Sequence, residues 1–217
     1  MSNARLCQRF LSAQLGRDQQ GALRVLFDEG LGAGVSVPEL YLEVIQPAQY
    51  EIGRLWQANL VSVADEHIAT SVSQLALSML YPSIPRDAPN GRRVVVACVG
   101  GERHDLGARM VADFYEMAGY SVRFLGADVE AERLLAIVRE DPPDPLGLSV
   151  TMTSNIEALR VTADRAREAA GGQLRLVVGG PAYSSRTALQ GSVDADVIEN
   201  DVRAAVGRSA ALVTSSV

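Results

Sequence analysis

The chain has 217 residues, of which 47% are hydrophobic and 21% charged, and its formal net charge is −6. This length can bury a sizeable core in one large domain or two small ones, and the acidity argues against nucleic-acid binding through a general electrostatic footprint. All 20 basic residues are arginines, which excludes a Schiff-base lysine, a P-loop lysine and the catalytic lysine of protein kinases. We see no apolar run of membrane-spanning length and no signal peptide, so we expect a cytoplasmic protein.

Residues 1–82 are predicted to form a four-helix bundle that serves as a cap domain. Apolar residues recur at helical spacing through four segments with short connections. Ser36 with Glu39, and Ser62 with Asp65, have the spacing of capping boxes, so a helix is expected to begin after each serine. A kink is expected at Pro47, because proline cannot donate a helical hydrogen bond.

The segment from Pro82 to Gly91 reads as a connection between domains. It holds three prolines and an Asn-Gly pair and has little apolar content. We therefore assign residues 83–91 to a linker and residues 92–217 to a second domain.

The second domain is predicted to be an α/β domain with a doubly wound, Rossmann-like or flavodoxin-like parallel sheet, because strands alternate with helices. The expected strands are Arg93–Val99, Ser121–Leu125, Pro145–Val150, Leu174–Val178 and Val193–Ile198. The expected helices are Leu106–Ala118, Ala131–Glu140, Ile156–Ala170, Ser184–Leu189 and Val202–Leu212.

Three loops of this domain are expected to meet at the carboxyl edge of the sheet, where open α/β sheets bind their ligands. They are residues 100–107, 151–155 and 179–183. The first loop contains His104, one of only two histidines in the chain. Any function assigned to the domain has to account for this imidazole.

Common ligands of such sheets fit these loops poorly. Gly100, Gly101 and Gly107 do not match the dinucleotide pattern G-x-G-x-x-G. A phosphoryl-accepting receiver domain needs an aspartate at the end of its third strand and typically a lysine, and both are missing. The two histidines and two cysteines show no zinc spacing. His104 as a base for Ser149 stays open, although no G-x-S-x-G nucleophile elbow is present.

A motif of three spaced elements favours a different ligand for these loops. Glu102-x-His104-x-x-Gly107 is followed after 41 residues by Ser149-Val150-Thr151, and after a further 27 residues by Gly179-Gly180. This pattern resembles the cobalamin-binding fold, whose motif is Asp/Glu-x-His-x-x-Gly, Ser-x-Leu and Gly-Gly. Thr151 departs from the usual leucine. The resemblance covers residues 92–217.

The resemblance implies that cobalamin binds with its dimethylbenzimidazole tail threaded into the domain. His104 would be the lower axial ligand of cobalt, and Glu102 would fix its tautomer. Gly107 would let the tail pass, and Ser149 would offer a hydroxyl to the benzimidazole nitrogen. The other loop residues assigned to cobalamin binding are Arg103, Asp105, Thr151, Thr153, Gly179, Gly180 and Tyr183. Taken alone, Gly179-Gly180 would be read as an ordinary strand-to-helix turn.

The predicted bundle refines the resemblance. Trp56, nine intervening residues and Glu66-His67 resemble the cap helices of adenosylcobalamin-dependent light-sensing regulators. This likeness implies that Trp56, Val63, Glu66 and His67 face the upper side of the corrin, where Glu66 can accept hydrogen bonds from ribose hydroxyls. Some of these sensors carry a histidine directly after the tryptophan, whereas here the residue is Gln57. The alternative makes Trp56 a core anchor and Glu66-His67 a solvated helix start.

We therefore expect a non-enzymatic, cobalamin-binding light sensor and regulator without a DNA-binding domain. Adenosylcobalamin is the expected cofactor, with methyl- or hydroxocobalamin as alternatives. Its photolysis would change self-association or the binding of a separate regulatory protein. The resemblance implies that the edge with Arg103 and Asp128 can form head-to-tail contacts between copies, although a salt bridge of either residue could equally be local. The competing hypotheses are a corrinoid methyl carrier of a methyltransferase system and a cobalamin carrier or storage module.

Overall fold

The structure is a computed structural model that describes residues 1–184 and 193–214, without the side chains of residues 183, 184, 213 and 214. The chain divides into two compact units, Met1–Pro85 and Arg86–Val217. No helix in the described parts of the chain is long and apolar enough to cross a membrane.

The first unit is entirely helical and contains four main helical segments, as predicted. They comprise α1 (Asn3–Leu15); α2 (Gln19–Arg24), which continues as a π-helix (Val25–Gly30) and a 3-10 turn (Leu31–Ala33); α3 (Val37–Glu39), a π-helix (Leu40–Ile45) and α4 (Gln46–Gln57) in succession; and α5 (Val63–Leu80), with a final 3-10 turn (Tyr81–Ser83). Both predicted capping boxes form, at Ser36 and at Ser62.

At Pro47, the position of the expected kink, the helix passes from π-helical to α-helical geometry and continues to Gln57. A π-helical turn accommodates a residue that lacks the N–H for the regular hydrogen-bond ladder. The core of the unit is built from fully buried side chains, including Leu6, Phe10, Tyr41 and Ile52. Such burial supplies most of the free energy that holds short helices together.

Within its described residues, the second unit contains five parallel strands in the order β2-β1-β3-β4-β5. This is the flavodoxin-like order, in which β2 is added on one side of β1 and β3 on the other, so that the strand order reverses between β1 and β3. The strands are β1 (Arg93–Val99), β2 (Ser121–Val129), β3 (Leu146–Ser149), β4 (Leu176–Gly179) and β5 (Val197–Ile198). The helices are α6 (Leu106–Met117), α7 (Ala131–Glu140), α8 (Ile156–Ala169), α9 (Pro181–Ser184) and α10 (Val202–Thr214), and a 3-10 turn (Thr153–Asn155) precedes α8.

The sheet is covered on both faces, which confirms the doubly wound prediction. Val95, Ala97 and Val99 of β1 belong to a buried cluster with residues of α7 and α8, such as Leu135 and Leu159. Strand side chains alternate between faces, so Val94, Val96 and Cys98, which are also buried, point to the opposite side. A strand that is buried on both faces explains the uninterrupted apolar run in the sequence.

Several element bounds differ from the prediction. Strand β2 extends to Val129, and its pairing with β1 shifts register near Gly126, whose φ is +81°. Strand β5 is limited to Val197–Ile198. Of the predicted helix Ser184–Leu189, only Ser184 lies within the described residues, as the last residue of α9.

Part of the predicted linker is hydrogen-bonded within the second unit. The Asp87 N–H donates to Met117 O at 2.9 Å, and the Asn90 N–H donates to Gly119 O at 2.9 Å. These bonds attach the segment to the turn that follows α6. The division into two domains joined by a linker at residues 83–91 stays a prediction.

Candidate functional site

Glu102 lies at the topological switch point of the sheet, in the loop that follows β1. Gly101 turns the chain with a φ of +83°, and its N–H donates to Asp128 Oδ1 at 2.6 Å. The Glu102 N–H closes the turn by donating to Val99 O at 2.9 Å. This turn directs the Glu102 side chain into the protein, where the residue is 0% exposed.

The buried carboxylate of Glu102 accepts five hydrogen bonds. Its Oε1 accepts from the His104 backbone N–H at 3.0 Å and lies 2.5 Å from His104 Nδ1. Its Oε2 accepts from the Thr151 N–H at 2.9 Å, the Met152 N–H at 2.8 Å and Asn155 Nδ2 at 3.1 Å. One carboxylate therefore joins the loop after β1 to the loop after β3.

These hydrogen bonds keep Glu102 ionised. Burial alone would raise its pKa, but the His104 ring and the backbone N–H groups of Met152, His104 and Thr151 lower the pKa to about 2. Each of these donors stabilises the charged form, since an ionised carboxylate accepts hydrogen bonds and donates none.

The ionised carboxylate also fixes the tautomer of His104. A carboxylate can only accept, so Nδ1 carries the proton and the lone pair of the neutral ring is on Nε2. The His104 side chain is 48% exposed although its partner is fully buried. An imidazole anchored on one side and solvent-accessible on the other is a suitable single ligand for a transition metal, and the carboxylate raises its basicity.

Ser149 and Cys98 lie beside this pair, opposite each other in the register of β3 and β1. The Cys98 thiol is buried, which raises its pKa to about 12 with the help of the Asp105 and Glu102 charges, although a hydrogen bond with Ser149 opposes the shift. Cys98 is therefore an inert thiol, and the Ser149 hydroxyl is the polar group at the end of β3.

The three predicted glycine positions differ in what surrounds them. A Cβ at Gly107, in the first turn of α6, would meet nothing within 4 Å, so the surface beside this turn is open. A Cβ at Gly180 would lie 2.1 Å from Val150 O, and one at Gly179 would lie 2.8 Å from Glu199 O. The protein's own backbone therefore accounts for the Gly-Gly pair, and contact of this pair with a ligand stays a prediction.

Two asparagines that the sequence analysis did not single out support these loops. Asn155 reaches Glu102, and Asn200 Oδ1 accepts from the Gly180 N–H at 3.0 Å. Asn155 lies within the loop that was expected to converge on the site, but no spacing rule connects it to Glu102. Asn200 follows the short strand β5, and no motif marked it.

Other predicted residues of the second unit lie around this centre. Arg103 and Thr153 are exposed, while Asp105 and Thr151 are half-buried. Asp105 is the N-cap residue of α6, and its O accepts from the Arg109 N–H at 2.8 Å. The backbone of Tyr183 lies in α9, but its side chain is outside the described atoms.

In the first unit, Trp56 lies near the end of α4 and is half-buried, while Val63, Glu66 and His67 lie in the first turns of α5. Val63 is 52% exposed, and the His67 side chain is 73% exposed. The Glu66 side chain is only 20% exposed and accepts a hydrogen bond from Thr70 Oγ1 at 2.8 Å. The start of α5 thus combines apolar, carboxylate and imidazole groups.

Comparison with protein families matches both units. A B12 binding domain family matches residues 92–206, and a second B12 binding domain family matches residues 6–81. The chain belongs to the B12-binding family. Cobalamin is therefore its cofactor, and the fixed imidazole of His104 and the open surface at Gly107 are compatible with it. The B12-binding assignment also confirms the resemblance found in the sequence.

Relatives of this B12-binding protein include regulators and corrinoid proteins. It is 30% identical over 183 residues to an uncharacterized 20.5 kDa protein in the bchF-crtJ intergenic region of Rhodobacter capsulatus, covering 82% of this chain and 94% of that one. It is 34% identical over 186 residues to the HTH-type transcriptional repressor CarH of Myxococcus xanthus, covering 84% of this chain and 60% of the repressor. It is 26% identical over 143 residues to the dimethylamine corrinoid protein of Methanosarcina barkeri, covering 66% of this chain and 62% of that protein.

The fold is shared with a solved corrinoid protein. The structure of the Methanosarcina barkeri monomethylamine corrinoid protein matches with a TM-score of 0.83 and 18% identity, over 97% of this chain and 100% of that one. This likeness confirms the predicted combination of a helical N-terminal region and a five-stranded parallel α/β domain.

Proposed function

We propose that this B12-binding protein is a light-sensing regulator. It holds adenosylcobalamin through His104 and responds to the loss of the adenosyl group from contacts at α5. The observation that carries the proposal is Glu66, a largely buried carboxylate held by Thr70 next to the exposed Val63 and His67. Resemblance to light-sensing cap helices and relatedness to the CarH repressor support it.

On the lower side, His104 Nε2 is the proposed ligand of cobalt. Glu102 holds the proton on Nδ1 and orients the ring, while Asn155 and the Thr151 and Met152 N–H groups hold Glu102. Ser149 and the open surface at Gly107 are proposed to receive the nucleotide tail. Arg103, Asp105, Thr151, Thr153, Gly179, Gly180 and Tyr183 complete the proposed set of binding residues.

On the upper side, Trp56 is proposed to provide an apolar wall and Glu66 to accept hydrogen bonds from ribose hydroxyls. When bound, adenosylcobalamin supplies a cobalt–carbon bond that visible light breaks. Loss of the adenosyl group would leave the Glu66 carboxylate and the Trp56 surface without their partner. We propose that this loss changes self-association or the binding of a separate regulatory protein, because ligand release shifts a two-state equilibrium.

The test is to load the protein with adenosylcobalamin in the dark, then record its absorption spectrum and size-exclusion elution before and after green light. The proposal predicts a changed spectrum together with a changed elution volume, or with gain or loss of a co-eluting partner. A spectrum and assembly state that both survive illumination would contradict it. Protein loaded with hydroxocobalamin, which has no adenosyl group to lose, is the matched control.

The second candidate is a methyl-carrying corrinoid protein, favoured by the similarity to the dimethylamine corrinoid protein. A methyl carrier must leave its upper face open to a methyltransferase and has no adenosyl group to hold. It would bind methylcobalamin at least as tightly as adenosylcobalamin, and Glu66→Gln would not alter the ratio of the two affinities. A carrier or storage module would bind both forms and show no change of assembly in light.

A further inference from the structure

A polar network runs through the helical unit from its interior to Glu66. Gln49 Nε2 of α4 donates to Ser73 Oγ at 2.6 Å and to Ala69 O at 3.3 Å. Gln14 Nε2 of α1 donates to the same two atoms, at 2.9 Å and 2.7 Å. Ser73 and Gln14 are 0% and 2% exposed, and a buried polar group costs free energy unless it is hydrogen-bonded. The Gln14 nitrogen has partners here, whereas Gln14 Oε1 has no hydrogen-bond partner among the described residues. The amides of Gln14 and Gln49 therefore join α1 and α4 to α5 by hydrogen bonds.

This arrangement determines which way the Gln49 amide points. The Ala69 carbonyl can only accept a hydrogen bond, so the Gln49 nitrogen has to face it. The Gln49 oxygen then faces Thr70 and lies 3.2 Å from Thr70 Oγ1. The network thus presents an acceptor, the Gln49 oxygen, towards Glu66, and Thr70 lies between Gln49 and Glu66.

The single hydroxyl proton of Thr70 has two acceptors within reach. Oε1 of Glu66 is the nearer, at 2.8 Å, and it is charged, whereas the Gln49 oxygen is neutral and 3.2 Å away. Hydrogen bonds to an ionised acceptor are about twice as strong as neutral ones, so the proton goes to Glu66. The carboxylate is held inward by one oxygen.

The other oxygen, Oε2, does not take part in the bond from Thr70. It lies 3.6 Å from His67 Nε2, which is within ion-pair distance but beyond hydrogen-bond distance. A vicinal diol such as that of a ribose presents hydroxyl donors that this oxygen can accept. Holding the carboxylate beforehand spares the conformational entropy that a mobile glutamate would lose on binding.

We infer that Thr70 is a positioning residue, which fixes Glu66 and so makes the site prefer an adenosyl group over a methyl group. The inference rests on the proposed function, since it takes Glu66 as the contact for the ribose. Gln49 is the competing acceptor of the same proton, and its removal should leave the bond from Thr70 to Glu66 intact. Replacing Thr70 should therefore lower the preference for adenosylcobalamin and replacing Gln49 should not, although the two residues belong to one network.

The test compares dissociation constants for adenosylcobalamin and methylcobalamin, measured in the dark by absorbance titration of the full chain. Thr70→Val should lower the preference for adenosylcobalamin about tenfold, the effect of one lost charge-assisted hydrogen bond, and Thr70→Ser should restore it. Gln49→Met should lower the melting temperature without lowering the preference, because Gln14 still binds Ser73 and Ala69. Ser78→Ala, which removes a hydroxyl bonded to Gln74 O at 2.9 Å, is the matched control and should change neither.

If Glu66→Gln lowers the preference for adenosylcobalamin and Thr70→Val does not, the inference is overturned and the proposed function still stands. Unchanged preference in Glu66→Gln as well would refute the upper-face contact itself. An equal loss in Thr70→Val and Gln49→Met would show that the network acts only through stability, which also overturns the inference. Binding of methylcobalamin reports folding of each variant, and Thr70→Ala replaces Thr70→Val should the latter fail to fold.

Discussion

Replacing Glu102 by glutamine should remove the hydrogen bonds that orient His104, while the side chain at position 102 keeps nearly the same shape. A glutamine amide has one oxygen and one NH₂ group in place of two acceptor oxygens. Three donors face Oε2, namely the Thr151 and Met152 N–H groups and Asn155 Nδ2, so the amide oxygen stays on that side. The NH₂ group then turns towards His104.

This orientation has two consequences for His104. Its backbone N–H, which donates to Oε1 at 3.0 Å, would face another donor and lose its partner, at a cost of about 2–3 kcal/mol of folding stability. Its Nδ1 would have to accept from the amide, which moves the ring proton to Nε2. The lone pair is then on the wrong nitrogen for cobalt, and cobalamin affinity should fall about 10- to 100-fold, the usual effect of removing such a partner.

The assay is titration with cobalamin, followed by the spectral change that marks imidazole on cobalt, together with chemical denaturation of the unloaded protein. Glu140→Gln, at the exposed end of α7, removes the same charge away from the site and is the control. Glu102→Gln protein that bound cobalamin as tightly as the control, with the same imidazole spectrum, would refute the tautomer argument. A loss of stability without a loss of affinity would confine Glu102 to a structural role.

Three further predictions concern residues around the site and in the α6–α10 contact. Gly180→Ala should cost more than about 3 kcal/mol, because the φ of +115° and the close Val150 O both oppose a Cβ; near-normal denaturation would contradict this. Gly107→Ala should stabilise α6 by up to about 1 kcal/mol yet weaken cobalamin binding in titrations. Unchanged binding would contradict the proposal that the nucleotide tail of cobalamin contacts this surface. Burial raises the pKa of Tyr115 to about 12 despite its bond to Ser209, so the folded state keeps a proton that the unfolded state loses above pH 10. Tyr115 should therefore contribute a fall in stability of about 2–3 kcal/mol between pH 10 and 12. Cys98, whose pKa is likewise raised to about 12, adds a loss of its own in this range. Tyr115→Phe should reduce the total loss by the share of the tyrosine in denaturation curves, and an undiminished loss would count against this assignment.

The sequence was sufficient for the elements whose signals are local. The capping boxes at Ser36 and Ser62 depend on side chains three residues apart, and both form as expected. Strand β1 is buried on both faces, so its apolar run was an unambiguous signal. The short strand β5 has only two residues, too few for an alternation pattern, and was predicted too long.

Contacts between distant segments of the site were harder to predict. The pair of Glu102 and His104 lies within one loop and was anticipated, whereas the bonds to Thr151, Met152 and Asn155 span 49 to 53 residues and depend on strand order. The residues of the Gly-Gly motif were found, but not the reason for them, because a clash with Val150 O is visible only in three dimensions. The network that holds Glu66 depends on helix packing in the same way.

The central claim, that His104 binds the cobalt of cobalamin, is tested most directly by electron paramagnetic resonance of the cobalt(II) form bound to protein labelled uniformly with ¹⁵N. An axial nitrogen splits the cobalt lines according to its nuclear spin, so a protein ligand gives a doublet in labelled protein and a triplet in unlabelled protein. The account predicts this change, and its absence in His104→Ala protein. A triplet that persists in the labelled wild-type protein would show that the nitrogen comes from the unlabelled cofactor, and it would contradict the account.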